Sequence, residues 1–300
     1  MTQTTVTHST LKALILASRP KTLSASVVPI IATVGLVQTL SVPIQWWIVL
    51  CALLSSFCIQ IGTNFVNDAM DFEKGADTAE RLGPVRITHQ GYMTGRQVMM
   101  MATLFFVIAI LFGIPLVMHG GWPIVIIGLV SIAMGYAYTS GPLPLAYYGL
   151  GDLFVILFFG LVAVGGLFYL LTGVYTTEAF VLGLQIGFLS TILIAINNLR
   201  DCKTDIKANK KTLAVILGQS NAKLWIYFLV VSPFLVGYYW LLTQRFWLYI
   251  LPVLSLPLGL SLIKKIIRTE PSVEYNKFLA LAAGYTVIFA VGIYLGSLVK

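Results

Sequence analysis

Charge is scarce in this chain. Of its 300 residues only 10% are Asp, Glu, Lys or Arg, against roughly 25% in soluble domains. With 58% hydrophobic residues and a mean hydropathy of +0.90, there is too little polar surface to wrap a soluble fold, and a polytopic membrane protein is the class that fits. Cysteine is also scarce. Cys51, Cys58 and Cys202 are too few and too scattered for a disulfide framework or a sulfur-ligated metal cluster, and Cys51 and Cys58 read as packing residues of membrane helices. Met1 to Thr10 is polar, which argues against a cleaved secretory leader. The formal net charge of +8 need not mean nucleic acid, because the cytoplasmic loops of membrane proteins collect Lys and Arg.

Long uncharged runs are present instead. A span needs about 20 apolar residues, and nine stretches qualify: 22–41, 45–66, 98–118, 121–138, 150–173, 179–198, 223–243, 246–263 and 278–298. The expected fold is all-α, a bundle of about nine transmembrane helices in a single domain over 1–300. Its possible halves are about 19–140 and 150–298. With the N-terminus inside, 17 of the 19 Lys and Arg residues fall in cytoplasmic segments, with only Arg245 and Lys300 outside. The expected location is therefore a cell inner membrane, multi-pass, with N-terminus and polar loops cytoplasmic.

The acids are not spread evenly. Asp68, Asp71, Glu73, Asp77, Glu80, Asp201 and Asp205 make 7 of the 11, and they fall just after the second and sixth runs. Asn64, Asp68 and Asp71 stand at i, i+4 and i+7, so a helix would carry them on one face. Asn197, Asp201 and Asp205 repeat the pattern at i, i+4 and i+8, with Asn198 offset by one. Carboxylates one turn apart repel each other unless a cation sits between them, and hard oxygen ligands suit Mg²⁺. Arg81 and Arg86 follow the first set. Arg200, Lys203, Lys207, Lys210 and Lys211 interleave with the second. Acids with bases at a membrane mouth fit a Mg²⁺-bound diphosphate, and the cavity behind suits a long apolar tail.

Other residues at the expected cytoplasmic mouth admit two readings each. Arg19 and Lys21 are topology anchors or contacts to an anionic substrate. Tyr136, Tyr138, Tyr147 and Tyr148 are interfacial aromatics, or rings that flank an aromatic substrate and face a developing cation. Asp152 is a helix-start carboxylate or a site acid. His89 reads as a solvated loop residue, and His119 carries no role. The centres of the last three runs hold no ionisable residue, which argues against an ion path and against a cation-coupled transporter.

These stretches resemble the UbiA superfamily of intramembrane aromatic prenyltransferases. Asn67-Asp68-x-x-Asp71 looks like its first Asp-rich motif and Asp201-x-x-x-Asp205 like its second. Arg19-Pro20-Lys21-Thr22-Leu23, Gly75-x-Asp77, Leu82-Gly83-Pro84-Val85-Arg86, Gly149-Leu150-Gly151-Asp152, Asn197-Asn198-Leu199-Arg200-Asp201 and Lys211-Thr212-Leu213-Ala214 resemble the branch that acts on 1,4-dihydroxy-2-naphthoate. The likeness runs from about 19 to 218. Gly75 stands where much of the superfamily has a third Asp, and Asp152 where Glu is frequent. The resemblance implies helices around a central cavity. Asp68, Asp71, Asp201 and Asp205 would hold Mg²⁺-diphosphate, with Asp77 as a further metal ligand. Asn64, Asn67, Asn197 and Asn198 would complete the shell, and Lys21, Arg81, Arg86, Arg200 and Lys211 would contact phosphate or the acceptor's carboxylate. Tyr138 and Tyr147 would stand by the cation and ring. It further implies a polyprenyl diphosphate, a small aromatic acid and membrane lipid as partners, and loss of CO₂ to give demethylmenaquinol. A related acceptor such as 4-hydroxybenzoate or homogentisate stays open.

Overall fold

The computed structural model describes residues 14–15, 17–75, 82–83, 86–142 and 144–299, with the Lys21 side chain excluded. Asp77 and Arg81 lie outside the described residues. Those described form helices and connecting turns without a β-strand. In order they are α1 (Ser24–Gln38), α2 (Trp46–Glu73), α3 (Gly95–Gly120), α4 (Trp122–Ala137), α5 (Gly151–Thr172), α6 (Thr177–Lys207), α7 (Leu213–Leu242), α8 (Trp247–Val253), α9 (Leu256–Arg268) and α10 (Tyr275–Leu298).

Six of these, α2, α3, α5, α6, α7 and α10, are long and apolar enough to cross a membrane. The α8–α9 pair makes a seventh if its 42° bend is one broken span. Pro252 lacks the amide that would continue the ladder, and Ser255 Oγ closes the break by donating to the Pro252 carbonyl at 2.7 Å. The helices α1 and α4 have 15 and 16 residues. At 1.5 Å per residue they reach only about 22–24 Å, short of the ~30 Å hydrocarbon layer. Each apolar stretch seen in the sequence is helical, while six or seven pass as full spans among the described residues.

The helices that carry the Asp motifs are the longest. At 28 and 31 residues, α2 and α6 extend about 42 and 46 Å, overshooting the hydrocarbon by two or more turns. So Asp68, Asp71, Glu73, Asp201 and Asp205 ride on the last helical turns, not in loops as the edges at 66 and 198 imply. Nothing breaks α2 until Gly75, at φ 68°, or α6 until Asn209, at φ 54°. Each helix end thus holds its carboxylates in fixed register.

The most buried span is α6, packed against α5, α7, α10 and α1. Its approach to α5 is close enough that a Cβ on Gly160 would lie 2.3 Å from the Gly183 carbonyl oxygen. There α5 widens into a π-turn, Ile156–Val162, a distortion that recurs at functional positions. On the other side α4 leans on α2 and α3. The cavity lies among these helices, lined by residues of α1 through α6.

Candidate functional site

One cavity of about 1180 Å³ occupies the middle of the bundle, above the roughly 300–1,000 Å³ usual for drug-sized ligands. Its inner wall is apolar, with Ile110, Ile114, Val117, Leu129, Phe158, Phe159, Leu167 and Leu170 among the lining residues. Its mouth is polar, lined by Arg19, Asn64, Asn67, Asp71, Arg86, Tyr138, Thr139, Asn197, Asn198, Arg200, Asp201, Lys210 and Asn276. The two Asp-bearing helix ends meet here, although their motifs are 133 residues apart in sequence (201 − 68).

Asp71 is the hub of one side. Arg86 Nη2 donates to its Oδ2 at 2.7 Å, Tyr147 Oη donates to its Oδ1 at 3.0 Å, and Lys210 Nζ stands 3.9 Å away. Lys74 and Lys210 both lie over the Tyr147 ring, at 4.5 and 5.3 Å from its centroid, within cation–π range. Lys74 also donates to the Thr139 carbonyl at 2.6 Å, and Thr139 Oγ1 to Asn67 Oδ1 at 2.6 Å. Burial holds the Lys74 ammonium below the ordinary lysine range. Asp71 and Glu73 pull it back up and Lys210 pushes it further down.

On the opposite side Arg200 grips Asp201 with both Nε and Nη2, at 2.8 and 2.7 Å. Arg200 Nη1 donates to Asn276 Oδ1 at 2.6 Å, and Asn276 Nδ2 to the Leu82 carbonyl at 3.0 Å. The second motif is thereby tied to α10 and to the segment after the first motif.

Two predicted acids do not line the cavity. Asp68 is 1% exposed and turned to the segment after α2. It accepts from the amides of Ile87 and Thr88 at 3.1 and 3.2 Å, and from Thr88 Oγ1. Helix geometry explains this. From Asn64, Asp71 lies about 20° to one side and Asp68 about 40° to the other at 100° per residue, while Asn67 falls on Asp71's side. The lining face is Gln60, Asn64, Asn67 and Asp71. Asp205 sits one turn beyond Asp201, where Thr212 Oγ1 donates to it at 3.4 Å. Lys211 is exposed and offers its backbone amide to the Tyr147 carbonyl. Its neighbour Lys210 reaches the lining.

The sequence reading gave Lys74, Thr139 and Asn276 no role at the site, and it named Lys210 only as one of the bases interleaved with the second motif. The adjacency of Lys210 to Lys211 and the position of Lys74 just after the first motif were the signals at hand.

Among the described residues no three His, Cys, Asp or Glu side chains converge on one point. The oxygen donors that do face the mouth are the Asp71 and Asp201 carboxylates and the amides of Asn64, Asn67, Asn197 and Asn198. That set is all hard oxygen, with no sulfur or imidazole, and fits Mg²⁺ sharing its shell with phosphate and water.

Comparison with known proteins identifies the family and the fold. Residues 27–291 match the model of the UbiA prenyltransferase family. The 1,4-dihydroxy-2-naphthoate octaprenyltransferase of Bacillus subtilis (strain 168) is 32% identical over 259 residues, covering 84% of this chain and 81% of that protein. The protein of the same name from Mycobacterium tuberculosis is 34% identical over 207 residues, 69% and 70% of the two chains. Among solved structures, a UbiA homolog from Archaeoglobus fulgidus bound to GPP and Mg²⁺ superposes with a TM-score of 0.68 over 96% of this chain and 100% of that one, at 16% identity, a likeness of fold.

Proposed function

We propose that this chain, which belongs to the UbiA prenyltransferase family, transfers a polyprenyl group from its diphosphate to 1,4-dihydroxy-2-naphthoate, releasing CO₂ and giving demethylmenaquinol. One observation carries the reading: a mouth of carboxylates, amides and cations opens into a mainly apolar cavity of about 1180 Å³, a volume that suits a prenyl tail. The curated relatives named for this acceptor support the choice of ring.

The roles follow from the contacts. Arg86, Lys210 and Lys74 surround Asp71 and carry the positive charge that a diphosphate needs on one side of the mouth. Arg200 supplies it on the other. Asp71 and Asp201, with the oxygens of Asn64, Asn67, Asn197 and Asn198, would hold Mg²⁺. Bound there, the metal neutralises diphosphate oxygens and makes diphosphate a better leaving group. The allylic C–O bond breaks and its electron pair leaves with diphosphate. Tyr138, Phe154, Phe158 and Phe159 line the wall, and their ring faces favour the cation that remains. The ring carbon bearing the carboxylate supplies the electrons of the new C–C bond. Loss of CO₂ returns the carboxyl bond's electrons to the ring and restores aromaticity. The apolar wall keeps water from intercepting the cation.

The mouth lies at the end of the bundle where the Lys and Arg residues of the α2 and α6 termini gather, which supports a cytoplasmic-facing site in a multi-pass inner-membrane protein.

The test is a product assay on the detergent-purified chain with 1,4-dihydroxy-2-naphthoate, an all-trans polyprenyl diphosphate and Mg²⁺, with and without EDTA. The expected outcome is a metal-dependent product whose mass shows prenylation and loss of CO₂. Product only with 4-hydroxybenzoate or homogentisate would keep the diphosphate site and discard the acceptor.

A further inference from the structure

Asp152 is a buried carboxylate in the first turn of α5, 3% exposed, that the chemistry above does not use. Its two oxygens have different partners. Oδ2 accepts from Trp225 Nε1 of α7 at 2.8 Å, and Oδ1 faces Asn198 Nδ2 of α6 at 3.4 Å. Thr191 Oγ1, also on α6, approaches its carbonyl at 3.5 Å. Asn198 itself is on the cavity lining.

An asparagine amide presents a donor at one end and an acceptor at the other, and the two ends are nearly equal in shape. What stands beside it decides which end faces where. An ionised carboxylate only accepts, so it can face the NH₂ end and repels the oxygen end. Trp225, which can only donate, occupies the other oxygen of the same carboxylate and keeps it turned toward Asn198. With the NH₂ end of Asn198 committed to Asp152, its Oδ1 is left for the cavity.

We propose that Asp152 is a positioning residue for the diphosphate site: through its carboxylate it fixes the orientation of Asn198, so that Asn198 offers oxygen to the Mg²⁺-diphosphate headgroup. The proposal rests on the reading of this mouth as a Mg²⁺-diphosphate site and names how one of its oxygens is oriented. With the amide reversed, an NH₂ group would face the cation and the site would lose one ligand.

The test uses the full chain in detergent, with inorganic diphosphate and Mg²⁺ as the probe and the thermal unfolding midpoint as the readout, so no acceptor is involved. Asp152→Asn gives the position a donor of its own and frees Asn198 to turn. The expected result is a rise of about tenfold in the Mg²⁺ concentration needed for half-maximal stabilisation. Asp152→Glu keeps an acceptor and is expected to stay within about threefold of the unchanged chain. The exchange D152N/N198D puts the carboxylate on α6 and the amide on α5, so oxygen faces the cavity whichever way the amide turns. It is expected to recover most of what D152N loses. An unshifted Mg²⁺ midpoint in D152N overturns the proposal. So does an exchange variant no better than D152N, or loss of folding in D152N that the exchange does not repair, since either outcome makes Asp152 a tie between helices. If the unchanged chain shows no stabilisation by Mg²⁺ and diphosphate, the reading of the mouth itself falls.

Discussion

Arg86 and Asp71 form a buried ion pair at 2.7 Å, with 5% and 3% of their side chains exposed. The pair joins the end of α2 to the segment that follows it, 15 residues on. Both partners line the cavity, so the contact that orders the mouth uses the groups that a metal and a diphosphate would engage.

Removing one member of this pair should therefore cost stability as well as activity. Asp71→Ala leaves Arg86 and Lys210 facing each other without their shared counter-charge, and truncating one partner of a buried pair costs about 3–5 kcal/mol. Arg86→Ala is the milder change, because Tyr147 and Lys210 still satisfy Asp71. The expected order of unfolding midpoints in detergent is unchanged chain, then Arg86→Ala, then Asp71→Ala. Turnover is expected to drop at least a hundredfold in both. Normal turnover in Asp71→Ala would remove it from the site.

Asp68 acts by another route. Its carboxylate holds the Ile87 and Thr88 amides and the Thr88 hydroxyl, and those residues follow Arg86 directly. Asp68→Ala orphans two buried amides, at about 1–3 kcal/mol each, and lets Arg86 drift. The expected kinetic signature is a rise in KM for prenyl diphosphate alongside the loss in kcat. Thr88→Val, which keeps both amide bonds, is expected to show a weaker version of the same pattern. A pure kcat effect in Asp68→Ala, with KM unmoved, would place Asp68 at the reacting atoms instead.

These two acids show what the sequence carries and what it does not. Hydropathy marks every helix, because an apolar stretch in a chain this poor in charge has few other structures open to it. The two Asp-rich runs are legible as a pair, since each sits on the overshoot of a long span. Which carboxylate looks into the cavity is not legible. Asp68 and Asp71 differ by about 60° around α2, and only the position of the 86–88 segment decides which way each is used. The same holds for Lys210 against Lys211, where the turn at Asn209 sets which side chain points inward. The π-turn in α5 and the break between α8 and α9 arise from packing and from a proline within an otherwise uniform apolar run. The resemblance to the family supplied roles that spacing alone left open; the family match and the curated relatives show the family itself.

Metal removal separates the two sides of the mouth. Arg200 chelates Asp201 through two nitrogens, so this carboxylate has a counter-charge within the chain and the fold should not need the metal. EDTA is expected to abolish turnover while leaving the unfolding midpoint of the diphosphate-free chain within about 1 °C, and Mg²⁺ should restore activity. A large fall in the midpoint on adding EDTA alone would show a structural ion that the carboxylate–cation pairing does not call for.

Lys74 supplies a pH signature. Burial holds its ammonium below the ordinary lysine value of 10.5, so the folded chain gives up this proton more readily than the unfolded chain does. The unfolded state then binds more protons between the lowered value and 10.5. Lys74's contribution to stability therefore rises as pH climbs through that window. Diphosphate affinity moves the other way, because a neutral amine no longer attracts the anion. Affinity for Mg²⁺-diphosphate is expected to decline on the alkaline side before an unperturbed lysine would titrate. Arginine stays charged throughout, so Lys74→Arg should flatten that limb and leave binding near neutral pH within a few-fold. Binding isotherms from pH 7 to 10.5 on the two proteins make the comparison. An identical alkaline decline in both would assign it to another group, and Lys74 would then be confined to its bond with Thr139.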